Sequence, residues 1–330
     1  MLTRTAKISG SMLLAASMLV LAGCSGSGTA ATGNGGTNVK ITGVMPLQDN
    51  PYFKSMCRGA TLAAKEEGVE LKWTGTSTAD TADLLNALNA VAVAQPDGIL
   101  IDPFDPVAFV RPVGALMEKG TKVIAVDNAL AEHVDVTNIR TDGFAAAADA
   151  GKRVGEMLEG KGTVAILGMT PTGSSAVART NGFIEGLKAY PGIKILPTQY
   201  EEADTAKAAD VVSGLIQANP GLSAVYSVAD AGGSGAASAI KTAGKVGKIL
   251  NITFDAGPEL VAGLRSGTFD ALIAQDPYNM GYEAVKTLAA IERGKGKSEY
   301  PQHTEVGYQW LTRDNIDDKA VSTYLYAASC

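Results

Sequence analysis

Histidine and tryptophan each occur twice in 330 residues, and cysteine three times. Each scarcity removes a class of chemistry. His133 and His303 lie far apart and lack ligand-rich neighbours, so neither a structural nor a catalytic zinc is expected, and no cofactor is implied. Aromatic residues make up only 6%, so any cluster of rings is informative. Acidic residues outnumber basic ones by 34 to 28, giving a formal charge of −6 with no basic patch. Phosphate backbones need such patches, which excludes nucleic acid as a partner. Long apolar runs are missing too. The one candidate, SMLLAASMLVLAG near the start, is too short to cross a bilayer.

What is present begins with that run. Arg4 and Lys7 precede it as a positive n-region, and the apolar stretch has the length of a signal h-region. It ends in Leu21-Ala22-Gly23-Cys24, which resembles a bacterial lipobox. The resemblance implies cleavage before Cys24 and a lipid on its sulfur, with residues 1–23 a lipoprotein signal peptide. Residues 24–38, rich in Gly, Ser, Thr and Asn, read as a flexible tether at a membrane surface. Loss of Arg4 and Lys7 takes the formal charge to −8. Cys57 falls in a helical pattern and is expected as a small buried hydrophobe. Cys330 is expected as a loose thiol, with a Cys57–Cys330 disulfide as the less favoured alternative.

From Val39 onward short apolar strands alternate with helical patterns. Strands are expected at 39–44, 69–73, 98–101, 122–126, 136–139, 163–167, 193–198, 224–228, 249–254, 271–274 and 305–311. Helices are expected between them, with one more opened by Asp314. The alternation predicts an α/β fold of two Rossmann-like lobes with parallel sheets covered on both faces. An eight-fold barrel is the competing fold, ranked second because the strands exceed eight.

Ligands of open parallel sheets sit beyond the C-terminal ends of the strands. The residues there form one set: Asn50, Tyr52 and Phe53; Asp102; Asp127 and Asn128; Arg179; Asp230; Asp255; Gln275 and Asp276. The set holds carboxylates, amides, one arginine and two rings. It lacks a nucleophile–base pair, a metal cluster and a phosphate loop. Carboxylates accept from neighbouring hydroxyls, a guanidinium donates in a fork, and rings pack on C–H faces. That chemistry suits a neutral polyhydroxylated ligand, which would cover Tyr52 and Phe53 where they otherwise face water. The stretch GGSGAAS (232–238), with Asp255 after the next strand, mimics a dinucleotide fingerprint but lacks its third glycine. It is read as a helix starting close to the cleft.

Five motifs in order resemble the ribose/galactose-type branch of the periplasmic substrate-binding proteins of ABC transporters: DNPYF (49–53), VIAVDN (123–128), ARTNGF (178–183), ITFDAGPE (252–259) and IAQDPYNMG (273–281). The resemblance implies a type I binding-protein fold whose lobes are joined by a three-strand hinge. The crossovers fall near Arg140–Asp142, Gln275–Pro277 and Glu305–Gly307. One lobe then combines 39–141 with 276–305, the other 142–275 with 306–326. It further implies binding rather than catalysis, by a monomer that closes on a monosaccharide or similar molecule and docks on an ABC permease. Carried over, the sugar contacts are Asn50, Tyr52, Phe53, Asp127, Arg179, Asp255 and Gln275, with Asn128 and Asp230 as further candidates. Three positions depart from the pattern. Asn128 stands where ribose receptors carry arginine, Ala203 where many members place an aromatic, and Ala229 where an asparagine is common.

Two other readings remain open at this point. A sensory receptor of the same fold would use the same residues. An extracellular sugar-acting enzyme would need paired carboxylates, for which Asp127 and Asp255 are the candidates.

Overall fold

The computed structural model describes residues 39–330; the signal segment, the tether and the lipidation position Cys24 lie outside the described residues. The first lobe is built from β1 (Lys40–Met45), α1 (Pro51–Glu67), β2 (Glu70–Gly75), α2 (Thr81–Val93), β3 (Gly98–Ile101), α3 (Val110–Glu118), β4 (Lys122–Val126) and β5 (Asn138–Thr141). The second lobe follows as α4 (Gly143–Met157), β6 (Lys161–Gly168), α5 (Ser174–Leu187), β7 (Gly192–Ile195), β8 (Gln199–Tyr200), α6 (Thr205–Ala218), β9 (Leu222–Ser227), α7 (Asp230–Thr242), β10 (Leu250–Phe254), α8 (Pro258–Ser266) and β11 (Ala271–Gln275). The chain then returns to the first lobe with α9 (Pro277–Glu292) and β12 (His303–Val306). It crosses again at Gly307 to β13 (Tyr308–Leu311).

The first sheet runs β12-β5-β4-β3-β1-β2, all parallel. The second runs β13-β11-β10-β9-β6-β7, parallel except for β13, with β8 beside β6. Central strands are continuous apolar runs because both faces are covered. GILI of β3 and ALIAQ of β11 are buried at every position. The strands that cross between lobes lie at one edge of each sheet, while β2 and β8 lie toward the other.

Three expectations are corrected. The strand expected over 193–198 breaks into β7 and β8 around Pro197, which has no N–H for the ladder. The strand expected over 305–311 is two strands in different sheets. Asp314 opens no α-helix: Asn315 Oδ1 takes the Thr312 N–H in a turn, and only a 3-10 segment, Lys319–Tyr324, follows.

The cysteines are corrected as well. Cys57 and Cys330 form a disulfide, their Cα atoms 5.2 Å apart. It fastens the tail that follows β13 to α1, so the tail is a fourth connection between the lobes. One apolar cluster accordingly runs from Met56 on α1 through Val321 and Tyr326 of the tail to Leu260 and Leu311 of the second lobe.

Helix pairs on each lobe pack at backbone distance. A Cβ on Gly59 of α1 would overlap the Tyr278 carbonyl of α9, and one on Gly281 of α9 would overlap that of Met56. Gly59→Ala must therefore push the two helices apart. It is expected to cost about 2–3 kcal/mol, read as a lowered midpoint in urea denaturation; an unchanged midpoint would refute the close approach.

Candidate functional site

The site forms where the C-terminal ends of the two sheets face each other. Asp127 and Asp255 are the first residues after β4 and β10, and both adopt left-handed backbone, φ +56° and +82°. Such conformations cost a non-glycine residue roughly 1–3 kcal/mol and persist where the surroundings enforce them. Leu47 and Ala203 share this geometry, and all four line one cavity. At the start of α1, Asn50 is the N-cap. Its Oδ1 accepts from the Tyr52 N–H at 2.8 Å, and Pro51 at the first helical position needs no partner.

A chain of hydrogen bonds leaves the first lobe, runs through the second and comes back. Asn50 Nδ2 donates to Asp230 Oδ2 at 2.8 Å. The Asp230 N–H donates to Asp255 Oδ2 at 3.2 Å. Asp255 Oδ1 accepts from Gln275 Nε2 at 2.8 Å and from the Tyr326 hydroxyl at 3.0 Å. Gln275 Oε1 accepts from Arg179 Nη2 at 2.8 Å, and the same nitrogen reaches Asp127 Oδ1 at 3.1 Å. Arg179 is only 5% exposed. Its other terminal nitrogen donates to the Val228 carbonyl, and its guanidinium lies 4.5 Å from the Phe254 ring centroid.

Burial dominates the electrostatics. It pushes the Asp127 carboxyl up against the opposing pull of Arg179. Burial, aided by the charge of Asp230, raises Asp255 to about 6 despite Arg179. The cavity between these groups leaves about 60 Å³ open to the centres of water molecules, and Phe104 and Met169 complete its wall.

Eight of the expected residues differ from the ninth in placement. Asn50, Tyr52, Phe53, Asp127, Arg179, Asp230, Asp255 and Gln275 line the cavity; Asn128 does not. Its Nδ2 donates to Asp102 Oδ1 at 2.8 Å, and its Oδ1 accepts from the Ser174 hydroxyl and the Ser175 N–H. Its amide is thus spent on holding α5 of the second lobe to the first. Asp102, fully buried, supports that contact instead of lining the cavity, and burial together with Asp127 raises its carboxyl well above the ordinary range. The aromatic pair also departs from expectation. Tyr52 and Phe53 are 6% and 3% exposed rather than open to water. The lobes meet across them, and Tyr52 packs edge-on against both Phe53 and Tyr326. The glycines of GGSGAAS serve packing: a Cβ on Gly233 would strike Thr253, and one on Gly235 would strike α6.

Sequence reasoning missed Tyr326 and passed over Phe104. Phe104 stands in the Pro-Phe-Asp-Pro that follows β3, so its position past a strand end was a usable signal. Tyr326 had none, because it arrives from a tail outside the strand–helix alternation.

A family model described as periplasmic binding protein domain matches residues 41–296. The chain belongs to the periplasmic binding protein family. Within it, the D-allose-binding periplasmic protein of Escherichia coli (strain K12) is 28% identical over 263 residues, 76% of this chain and 83% of that protein. The xylitol-binding protein of Mycolicibacterium smegmatis is 24% identical over 304 residues, 91% and 86% of the two chains. Among solved structures, an ABC transporter solute-binding protein from Agrobacterium vitis bound with α-D-tagatopyranose superposes with a TM-score of 0.84 at 27% identity, over 88% of this chain and 99% of that one. The two-lobed type I architecture is the family's.

Proposed function

We propose that this chain is the extracytoplasmic solute-binding lipoprotein of an ABC importer, taking a monosaccharide or similar polyhydroxylated small molecule between its lobes. The observation that carries the reading is the polar chain Asn50–Asp230–Asp255–Gln275–Arg179–Asp127, which joins the lobes beside a cavity walled by Tyr52, Phe53 and Phe104. Its carboxylates accept ligand hydroxyls, its guanidinium donates, and the rings take C–H faces. A ligand touching both lobes favours the closed arrangement by its differential affinity for it. Micromolar binding needs about 8 kcal/mol, within reach of several hydrogen bonds to charged groups at about 1.5–3 kcal/mol each. Relatives whose names specify ribose, D-allose and xylitol support a sugar or polyol here. Lipid attachment at Cys24 would keep a monomeric receptor near its permease.

The test is a thermal-shift panel of pentoses, hexoses, polyols, nucleosides and amino acids, with hits confirmed by calorimetry. A sugar or polyol hit is the expected result. A shift confined to amino acids or nucleosides would overturn the sugar assignment.

The calorimetry carries a pH prediction. Ligand hydroxyls donate to ionised Asp255, whose pKa is about 6. Affinity is expected to fall about tenfold per pH unit below that value. Folding stability responds with the opposite sign. The native carboxyl holds its proton more readily than the unfolded one, near 3.8. Its contribution is full below that value and is lost as pH rises through 6. Flat affinity between pH 7 and 5 would remove Asp255 from the ligand contacts.

A further inference from the structure

The cavity does not end at its aromatic wall. Phe104, Met169 and Ala203 also line a second chamber of about 390 Å³ open to the centres of water molecules, far larger than the first. Its position follows from the topology. The end of the β2–α2 loop (Ala79 and Asp80) and the first residue of α2, Thr81, bound it from the first lobe, and Glu202, just after β8, bounds it from the second. It therefore occupies the cleft mouth, opposite the edge where the chain crosses between lobes. At the junction stands Ala203, in left-handed backbone at φ +58°, presenting a single methyl between the two spaces.

The chamber's chemistry is one-sided. Thr81, Thr170 and Thr172 line it with the carboxyl groups of Asp80, Asp105 and Glu202. Asp80 and Asp105 each engage backbone amides through Oδ1 alone, at 2.9 and 3.0 Å. Glu202 pairs with Lys207 at 3.0 Å, and among the described residues no basic one lines the chamber itself. Carboxylates and hydroxyls accept from hydroxyl groups, while an anionic extension would meet three like charges.

We infer that the ligand reaches past Ala203 into this chamber: the protein takes a disaccharide or glycoside whose second unit is uncharged and hydroxyl-rich. The inference rests on the reading of the inner cavity as a sugar site and adds the size of the substrate to it. The inner cavity holds one ring among Arg179, Asp127 and Asp255, and the mouth chamber holds the next.

The experiment is calorimetry on the full chain with two sets of probes. One set is D-ribose, D-allose, D-arabinose and D-tagatose; the other is cellobiose, lactose, maltose and melibiose. The variants are Ala79→Trp and Thr172→Trp, which fill the chamber from opposite lobes and do not line the inner cavity. At least one disaccharide is expected to bind tenfold or more tighter than any monosaccharide. Each tryptophan should cut that affinity at least tenfold while moving a monosaccharide by no more than about twofold. If one variant fails to fold, the other decides. A monosaccharide that binds at least as tightly as every disaccharide, or variants that shift both classes equally, would make the chamber a solvent-filled mouth and overturn the inference while leaving the sugar reading intact. No binding by either set, together with no sugar or polyol hit in the thermal-shift panel, would overturn both.

Discussion

Arg179→Ala is expected to weaken ligand binding at least a thousandfold, about 4 kcal/mol, in a chain that still folds. Arg179 is the link that returns the polar chain to the first lobe. It joins Asp127 of the first lobe to Gln275 of the second and lies under Phe254. Its removal leaves Asp255 buried without the cation that opposes its shift, and leaves Asp127 with Arg140 alone. Burial already raises both, and without Arg179 they would rise further. Each carboxyl then becomes easier to protonate and a poorer acceptor of ligand hydroxyls, and the forked donor is gone as well. Breaking a buried pair on one side costs about 3–5 kcal/mol, which a two-lobed body with two full sheets can bear. Arg179→Lys keeps the charge but not the planar fork, and should recover only part of the affinity. Calorimetry paired with circular dichroism checks both variants. A folded Arg179→Ala protein with wild-type affinity would remove this residue, and the polar chain with it, from the binding site.

The second large effect concerns the disulfide. Replacing Cys57 and Cys330 together by alanine is expected to lower stability by about 3 kcal/mol, a drop in melting temperature of roughly 6–12 °C. The bond closes a loop of 273 residues in sequence, so it restrains the unfolded chain strongly. It also holds the tail that carries Tyr326, whose hydroxyl donates to Asp255 and accepts the Gln275 N–H. Ligand affinity should therefore weaken along with stability, though far less than in Arg179→Ala. A disulfide persists in an oxidising compartment, which agrees with the extracytoplasmic location of the family. Thiol titration of the denatured wild type and thermal melts of the double variant test this. Two free thiols, or an unchanged melting temperature, would show that the tail is held without the bond.

Particular residues show how far the sequence could be read. Asn50 was read only as a ligand contact; it lines the cavity and also caps α1. VIAVDN reads as a buried strand ending in a polar turn, and β4 ends there at Val126. Asn128 resisted the same reasoning. Its position past a strand end suggested a ligand contact, yet its amide is consumed by Asp102 and by Ser174 and Ser175. Tyr52 and Phe53 were expected open to water, but the opposing lobe and the tail bury them. Cys330, read as a loose thiol, is bonded to α1.

The sequence by itself determined the α/β alternation and the strand ends where polar residues gather. These depend on local periodicity. Only the tertiary structure decided which of those groups meet. Arg179 finds Asp127 from 52 residues away and Gln275 from 96, and Tyr326 finds Asp255 from 71. Such pairings follow from sheet order and from three crossings between lobes, and no local pattern encodes them. Strand ends far apart in the chain become neighbours because parallel strands deliver all their C-terminal ends to one edge, and two such edges face each other here.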